Sequence, residues 1–304
     1  MLGKVVSQRR DWRAYNESLV KRGELYLTFN FLESWQKDVD ELNRGKLGRK
    51  YESPWSFIEF MMLIHVIFGL PYRQLEGFLR KVSEFVPQIK PTDYTTILRR
   101  GTKLQINLSD TISASNEPVV IAVDSSGIKV TNRGEWMRET WKIRRGWIKV
   151  QIAVNVKTKE IVSIEVTDET VSDGAKFGPL VDQAETNLQD AKIDEVLADG
   201  GYDSRDNFNH LQDKGIRPII KTRSNSSTKP KGSPLRARAV REMREIGYQR
   251  WKDKNRYGRR WAVETAFSAV KRIAGEYVSA TKTANMLQEA KLKFAFYNIL
   301  INLS

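Results

Sequence analysis

Three acidic residues of this 304-residue sequence stand where carboxylates could do chemistry. Asp124 ends the apolar run VVIAVD, Asp199 ends the run VLAD and precedes two glycines, and Glu264 lies within the cation-rich stretch RYGRRWAVETAFSAVKR. Three carboxylates brought together without a cation would repel one another and raise their pKa values. Mg²⁺ or Mn²⁺ would relieve that repulsion, because hard carboxylate oxygens suit these ions. Two such ions about 4 Å apart would clamp the attacking and leaving oxygens of an in-line phosphoryl displacement.

Each acidic residue also has a simpler explanation when it is taken alone. An Asp that follows a strand usually bonds its own backbone two residues on, which would account for Asp124 and Asp199. Asp203 lies close to Asp199, but its place before a predicted helix favours helix capping. Arg260 precedes Glu264 by four residues, so an exposed ion pair worth a few tenths of a kcal/mol is the alternative role for Glu264.

The elements that must position these residues begin with a helical region that extends to about Asn116. Its predicted helices lie in SPWSFIEFMMLIHVIFGL, PYRQLEGFLRKVSEFV and DYTTILRRGTKL. The last two form a candidate helix-turn-helix in which Arg99 and Arg100 would contact DNA. An ordinary helical bundle fits the same pattern equally well. We therefore predict a helical DNA-binding region over residues 1–116, with the helix-turn-helix as one of two interpretations.

After Glu117 the pattern changes to alternating strands and helices. Three strands are predicted as a meander, followed by helix, strand, helix, strand and a last helix. This order predicts a ribonuclease-H-like α/β domain over residues 117–304, with a mixed sheet and flanking helices. In that fold the first strand is central and the fourth lies beside it, so Asp124 and Asp199 would meet. Glu264 would reach them from the edge of the apolar stripe that contains Val263 and Phe267.

Positive charge is concentrated in one segment. The net charge is +14, and residues 221–260 hold fourteen Lys and Arg against three acids, 14 − 3 = +11. With tyrosine and tryptophan interleaved, this excess favours binding to nucleic acid, and a basic insertion is predicted at about 224–256. A partly disordered, solvated loop is the alternative. Lys142, Arg144 and Arg145 in WKIRRG are further candidate DNA contacts, for which a plain solvated loop is an equal explanation.

The composition excludes several classes of site. The chain has no cysteine and two histidines, His65 and His210, so disulfides and thiolate metal sites are excluded and neither histidine has the context of a zinc centre or a catalytic triad. The longest apolar run, 57–70, contains Glu59 and His65 and is shorter than the roughly 20 residues that span a bilayer. The N-terminal residues lack the apolar core of a signal peptide. We expect no membrane association.

Several motifs, in order, resemble the DDE transposases of bacterial and archaeal insertion sequences, most closely the IS-five family of the IS-four/IS-five grouping. IAVDSSGIKV resembles the region of the family's first aspartate, and LADGGYDS is similar to the motif of its second. The most specific motif is Tyr257-x2-Arg260-x3-Glu264-x6-Lys271, in which all four positions are filled. The resemblance runs from about Val119 to the C-terminus.

This resemblance implies a set of roles. Asp124, Asp199 and Glu264 would be catalytic and would bind two Mg²⁺ or Mn²⁺ ions, while Arg260 and Lys271 would contact phosphate near the cleaved bond, with Tyr257 close by. The reaction would be metal-dependent cleavage at the ends of the element, followed by transfer of the freed 3′-hydroxyl into target DNA. The partners would be the terminal inverted repeats and target DNA, bound by a homo-oligomer on paired ends in the cytoplasm of a prokaryote, associated with the nucleoid.

Two other functions fit parts of the same pattern. The first is a ribonuclease-H-like nuclease that cuts DNA without joining it. The second is a non-enzymatic, sequence-specific DNA-binding regulator with a decayed catalytic domain. The presence of all three carboxylates disfavours the regulator, and the motif around Glu264 disfavours the simple nuclease.

Overall fold

The structure is a computed structural model that describes residues 11–130, 147–168, 170–189 and 191–303. Lys142, Arg144 and Arg145, the predicted contacts in WKIRRG, lie outside the described residues. The described chain divides into two units. One contains the residues up to His65, Leu70–Leu104 and the last residues from Ile299, and the other contains Val66–Gly69 and Gln105–Asn298.

The first unit is helical, as expected for this part of the chain. Its helices are α1 (Trp12–Leu25), α2 (Phe31–Asn43), α3 (Trp55–Phe68), α4 (Tyr72–Phe85) and α5 (Tyr94–Gly101). Its core is rich in aromatic rings: the Phe31 ring centroid lies 5.2 Å from that of Phe60 and 5.8 Å from that of Phe57. Such ring pairs add to the stabilisation that burial alone provides.

The connections between these helices differ from the predicted helix-turn-helix. The predicted pair, α4 and α5, is joined by residues 86–93, which is longer than the three- or four-residue turn of that motif. Asp93 caps α5 by accepting hydrogen bonds from the backbone N–H groups of Thr95 and Thr96 at 2.6 and 3.2 Å. The short connection, residues 69–71, instead joins α3 to α4, where the chain bends by 119°.

Arg100 is buried, which contradicts its predicted contact with DNA. Its side chain donates hydrogen bonds from Nη1 to the carbonyl oxygen and Oγ of Ser53, at 2.7 and 2.8 Å. The guanidinium also lies over the Trp55 ring, 4.4 Å from the centroid. The sequence run Arg99–Arg100 looks equally basic at both positions, but helix geometry turns Arg100 inward and leaves Arg99 exposed.

The second unit is built on a six-stranded mixed sheet. Its strands are β1 (Val119–Val130), β2 (Trp147–Asn155), β3 (Ile161–Asp168), β4 (Ile193–Ala198), β5 (Arg217–Ile220) and β6 (Tyr277–Val278). The order is β3-β2-β1-β4-β5, with β6 paired to β1. The first three strands are antiparallel, whereas β4, β5 and β6 run parallel to their neighbours. This topology confirms the predicted ribonuclease-H-like fold, with β1 in the centre and β4 beside it.

Helices flank this sheet on both faces. They are α6 (Phe177–Leu188), α7 (Arg205–Asp213), α8 (Pro234–Ile246), α9 (Tyr248–Lys254), α10 (Trp261–Ala274) and α11 (Thr283–Ile301). The face of β1 that carries Val123 packs in one buried cluster with Phe177 of α6 and Phe208 of α7. The opposite face carries Asp124 and Ser126, which bond to residues at the start and the end of α10. The predicted stripe of α10 is buried as expected.

β1 is longer than the sequence suggested. The apolar run that predicts this strand ends at Asp124, but β1 continues through Ser125, Ser126 and Gly127 to Val130. Serine and glycine are poor strand formers, yet all three are paired to β2, opposite Gln151, Val150 and Lys149. Tertiary pairing therefore overrides local preference, and Asp124 lies within the strand.

The basic insertion is helical rather than a solvated loop. α8 and α9 account for most of it, and Trp251 of α9 is buried. Asp203 anchors it to the rest of the unit: its side chain accepts hydrogen bonds from Arg236 Nε at 2.6 Å and from the Arg223 backbone N–H at 2.9 Å. Asp203 is free to do so because Ser204, rather than Asp203, caps α7.

Within the described ranges, none of the helices taken singly has both the length and the apolar character of a membrane span. Taken together, α3 and α4 do have the length and hydropathy of a membrane span, but the chain bends sharply between them.

Candidate active site

The sheet brings Asp124 and Asp199 together. β4 pairs in parallel with β1 as far as Val123 opposite Ala198, so the next residue of each strand is an aspartate. Strands about 4.8 Å apart place such residues side by side. Burial is the main cause of the raised pKa of Asp124, and the charge of the neighbouring Asp199 adds to it. The proximity of Asp124 and Asp199 was predicted from the order of the strands in the sequence.

The turn after β4 fixes the Asp199 side chain. Its Oδ1 accepts a hydrogen bond from the backbone N–H of Gly201 at 2.8 Å, the local bond that a residue of this type favours. Two carboxylate side chains lie close to the Gly201 backbone. A Cβ atom at this position would be 2.9 Å from Asp199 Oδ1 and 3.6 Å from Asp173 Oδ2. Glycine is needed here for space, since its φ is not in the left-handed region.

This contact predicts the effect of Gly201→Ala. The added methyl group would push the Asp199 carboxylate from its position, so we expect DNA cleavage to fall about 10- to 100-fold, because small misplacements of reacting groups have effects of that size. The thermal unfolding temperature should change little, because a side chain rather than backbone has to move. Gly200→Ala is the matched control, since its nearest contact would be 3.4 Å from Lys221 O. Equal cleavage by the two variants would contradict this role of Gly201.

α10 carries Glu264 to the same place, where Arg260 joins it to Asp124. The Arg260 guanidinium donates from Nη1 to Asp124 Oδ2 at 2.7 Å and from Nη2 to Glu264 Oε1. The i,i+4 pair considered as the simpler explanation therefore exists, but it is not an isolated surface pair. The Arg260 and Asp124 side chains are each 20% exposed, and one cation links two of the three predicted catalytic carboxylates.

The other two residues of the motif also contact the central strands. The Tyr257 hydroxyl donates to the carbonyl oxygen of Ala198, the residue before Asp199, at 3.1 Å. Lys271 Nζ donates to Ser126 Oγ, two residues after Asp124, at 2.8 Å. The motif spacing thus places all four side chains along the same edge of the sheet.

Burial and charge shift the pKa values at this site. Burial raises the pKa of Asp124 first of all, and the Asp199 carboxylate adds to this, while the bond from Ser125 N–H and the Arg260 guanidinium oppose it. Burial lowers the pKa of Arg260, but the charges of Asp124, Tyr257 and Glu264 together raise it. Arg260 therefore stays charged, whereas a negative charge on Asp124 is disfavoured by its surroundings.

Asp124→Asn is therefore expected to raise stability in the absence of metal. Because the pKa of Asp124 is raised on folding, its ionised form destabilises the fold above the folded pKa, and this penalty vanishes as pH falls below the unfolded pKa. We expect an unfolding temperature roughly 1 to 3 °C above wild type at neutral pH, with the difference shrinking as the pH is lowered. Calorimetric scans across pH measure this. A variant less stable than wild type at neutral pH would contradict it.

The carboxylate set fits hard divalent metals, although Arg260 takes the place of such a cation between Asp124 and Glu264. Within the described residues no group of three or more His, Cys, Asp or Glu side chains is arranged to hold a metal ion. Instead, the Arg260 guanidinium donates hydrogen bonds to two of the three carboxylates. Asp124 and Asp199 directly follow a paired position of β1 and β4, and Glu264 would join them once Arg260 turned toward a phosphate.

A basic groove of about 560 Å³ opens beside Asp199. It is lined by Asp199, Gly200, Lys221, Thr222, Arg223, Ser224, Tyr248, Tyr257 and Arg260. Lys221 Nζ lies 4.8 Å from the centroid of the Tyr248 ring. Lys221 and Arg223 were missed as site residues from the sequence. The signal was their place just after β5, because the carboxyl ends of neighbouring parallel strands form one edge of a sheet.

Two further predicted DNA contacts, Arg99 and Arg100, belong to the first, helical unit. Of these two, Arg99 is exposed and Arg100 is buried. Within the second unit, the fold brings together the three carboxylates and the side chains of Tyr257, Arg260 and Lys271.

Comparison with solved structures finds remote likenesses. One is the cryo-EM structure of a piggyBac transposase synaptic complex with hairpin DNA, with 11% identity, 94% of this chain and 74% of that chain covered, and a TM-score of 0.41. Another is a cryo-EM structure of the simian T-cell lymphotropic virus intasome in complex with PP2A regulatory subunit B56 gamma, with 12% identity, 75% of this chain and 74% of that chain covered, and a TM-score of 0.26.

The match to protein families is direct and covers most of the chain. A family described as Transposase DDE domain matches residues 115–299, which include all three predicted catalytic carboxylates. A second family of the same description matches residues 20–133, so the likeness extends into the helical region. The chain belongs to the DDE transposases, enzymes that cleave DNA and transfer its strands.

Proposed function

We propose that this transposase moves an insertion sequence of the IS-five family and that Asp124, Asp199 and Glu264 are its catalytic carboxylates. The observation that carries the assignment is the single hydrogen-bonded group in which Arg260 joins Asp124 to Glu264, beside Asp199. Residues separated by 140 positions in the sequence meet at one edge of the sheet. Their residue types match the sequence motifs on which the resemblance to the IS-five family rests.

The three carboxylates would hold two Mg²⁺ or Mn²⁺ ions. Bound there, such ions would supply Lewis-acid stabilisation of the attacking and leaving oxygens of the phosphodiester. Asp199 is held for this role by the Gly201 N–H, and Asp124 by its place in the central strand. Glu264 would be released by Arg260, whose guanidinium can pair with phosphate as readily as with carboxylate.

The cationic residues around the site would hold DNA. Arg260 and Lys271 would contact the phosphate at the cleaved bond, and Tyr257 would keep the end of β4 in place through its bond to Ala198. The groove with Lys221 and Arg223 would continue the binding surface away from Asp199. Phosphate contacts of this kind release counterions, so DNA affinity should fall steeply as salt is raised.

The partners of the enzyme follow from the same proposal. The substrate would be the terminal inverted repeats of the element and, after cleavage, target DNA. A homo-oligomer would hold paired ends, and the protein would work in the prokaryotic cytoplasm on nucleoid DNA. Residues 1–116 would supply end recognition, with Arg99 as the exposed basic residue of α5, and Lys142, Arg144 and Arg145 would add contacts to DNA.

The test uses purified protein and a plasmid that carries the gene with its native flanking DNA. With Mg²⁺ or Mn²⁺ we expect nicks at discrete element ends and joined products in which those ends are linked to new DNA. Cleavage without any joined product would favour a simple ribonuclease-H-like nuclease. Specific, salt-sensitive binding without metal-dependent cleavage would overturn the enzymatic assignment for this chain and support a DNA-binding regulator.

A further inference from the structure

The side chain of Arg223 bonds to the turn that follows Asp199. Its guanidinium donates from Nε to the carbonyl oxygen of Gly200 at 2.6 Å and from Nη2 to the carbonyl oxygen of Gly201 at 3.1 Å. A guanidinium is planar and presents its N–H donors in a fixed fork, so one side chain can bond two consecutive carbonyl groups at once. Hydrogen bonds from such a charged donor are stronger than those between neutral groups.

The pairing of β4 with β5 brings Arg223 to this turn. Ala198 lies opposite Ile220, and the backbone N–H of Lys221 extends the pairing past the end of β5 by donating to the carbonyl oxygen of Ala198 at 3.1 Å. The two chain segments therefore leave the sheet side by side, one into the turn and the other toward the basic insertion. Arg223 comes shortly after β5 and lines the groove beside Asp199.

The backbone of Arg223 is itself fixed by Asp203. The Asp203 side chain is fully buried, and its Oδ2 accepts hydrogen bonds from the Arg223 N–H at 2.9 Å and from Ser226 Oγ. The guanidinium of Arg236 in α8 donates to both carboxylate oxygens, from Nε at 2.6 Å and from Nη2 at 3.1 Å. A buried network whose members are satisfied in this way is rigid. Arg223 is therefore anchored at its backbone as well as at its guanidinium.

The peptide unit that Arg223 holds is the one that orients the Asp199 carboxylate. The carbonyl group of Gly200 and the N–H of Gly201 belong to the same planar peptide unit. Arg223 Nε bonds to the oxygen of this unit, and Asp199 Oδ1 accepts from its N–H at 2.8 Å. Because glycine has more backbone freedom than any other residue, a peptide between two glycines can rotate easily unless it is held. Rotation of this peptide would turn the N–H away from Asp199.

We propose that Arg223 is a positioning residue for Asp199, which fixes the Gly200–Gly201 peptide so that its N–H points at the carboxylate. The consequence for metal binding and cleavage rests on the proposed function, whereas the hold on the peptide does not. Groups that orient metal-binding carboxylates in this way strongly affect metal affinity. Since a guanidinium has five N–H donors, Arg223 can hold the turn and also contact phosphate in the groove.

Arg223→Lys tests the positioning role because it keeps the positive charge and loses the fork. A single ammonium group does not reproduce the planar pair of bonds to two carbonyl groups. We expect Mn²⁺ affinity, measured by calorimetry without DNA, and kcat for cleavage each to fall about tenfold or more, while KM for DNA stays near wild type. If Arg223 only contacts phosphate, Arg223→Lys will keep the Mn²⁺ affinity and kcat of wild type, and that result would overturn the positioning role.

Hydrogen–deuterium exchange tests the hold on the peptide without metal or DNA. In Arg223→Met we expect the segment 199–204 to exchange about fivefold faster than in wild type, because its amide groups open more often. Arg241→Met is the matched control: Arg241 is also exposed, and its Nε and Nη2 donate to the carbonyl oxygen of Thr228 at 3.2 and 3.1 Å. It should leave Mn²⁺ affinity and exchange of 199–204 at the wild-type level. Equal exchange of this segment in Arg223→Met and wild type would overturn the proposal.

Failure of the proposed function would look different. In that case wild type and Asp199→Asn would bind Mn²⁺ equally and neither would cleave DNA. That result would overturn the consequence for metal binding together with the function, while the exchange experiment would still decide whether Arg223 holds the peptide.

Discussion

Replacing Glu264 with Gln is expected to lower DNA cleavage at least about 1,000-fold while DNA binding stays within a few-fold of wild type. Glutamine has nearly the same size and can still accept a hydrogen bond from Arg260. It lacks the negative charge that would complete the metal-binding carboxylates with Asp124 and Asp199. The measurement is nicking of the plasmid at the element ends, together with DNA binding at fixed salt.

Glu242→Gln is the matched control for this experiment. Glu242 is about as exposed as Glu264, at 36% against 34%, and is also ion-paired, to Lys254 at 2.6 Å. It lies on α8, and we expect its loss to leave cleavage at the wild-type level. If Glu264→Gln cleaves like wild type, Glu264 is no catalytic residue. If DNA binding collapses along with cleavage, its role is structural.

Arg260→Met should separate catalysis from metal binding. The guanidinium bonds to Asp124 and Glu264 and would compete with a metal ion for them, so its removal is expected to increase the Mn²⁺ affinity of the free protein. Cleavage should nevertheless fall about 100-fold or more, because a donor aimed at the reacting phosphate has been lost. Calorimetry and the nicking assay measure the two effects on the same protein sample.

The adjacent Arg259 provides the comparison for this variant. It pairs with Glu195 instead of a site carboxylate and is 29% exposed, against 20% for Arg260. Arg259→Met should leave both Mn²⁺ affinity and cleavage near wild type, apart from a modest general loss of DNA affinity. A parallel loss of metal binding and cleavage in Arg260→Met would show that Arg260 supports the carboxylates rather than competing for them.

The long-range meeting of the carboxylates was predictable because it depends on strand order. Once β1 and β4 are neighbours and parallel, Asp124 and Asp199 follow from their places in the two strands. The helical stripe then sets the side of α10 on which Glu264 lies. Both inferences depend on the periodic spacing of apolar residues in strands and helices, which can be recognised in a single sequence.

What the sequence could not show depends on tertiary contacts. The extent of β1 past Asp124 is imposed by pairing with β2, against the local preference of two serines and a glycine. The burial of Arg100 depends on Ser53 and Trp55, some 45 residues away. The bridge from Arg260 to Asp124 joins residues 136 positions apart, although the local pair with Glu264 was foreseen.

The central claim is that Asp124, Asp199 and Glu264 form one metal-binding catalytic centre. The most direct measurement is anomalous X-ray scattering from crystals of the full chain soaked in Mn²⁺, with Asp199→Asn crystals beside them. The account predicts manganese peaks bounded by these three carboxylates, with Arg260 turned away from Glu264, and their loss in Asp199→Asn. Manganese bound elsewhere, or no manganese with the Arg260 bridge intact at saturating Mn²⁺, would contradict it.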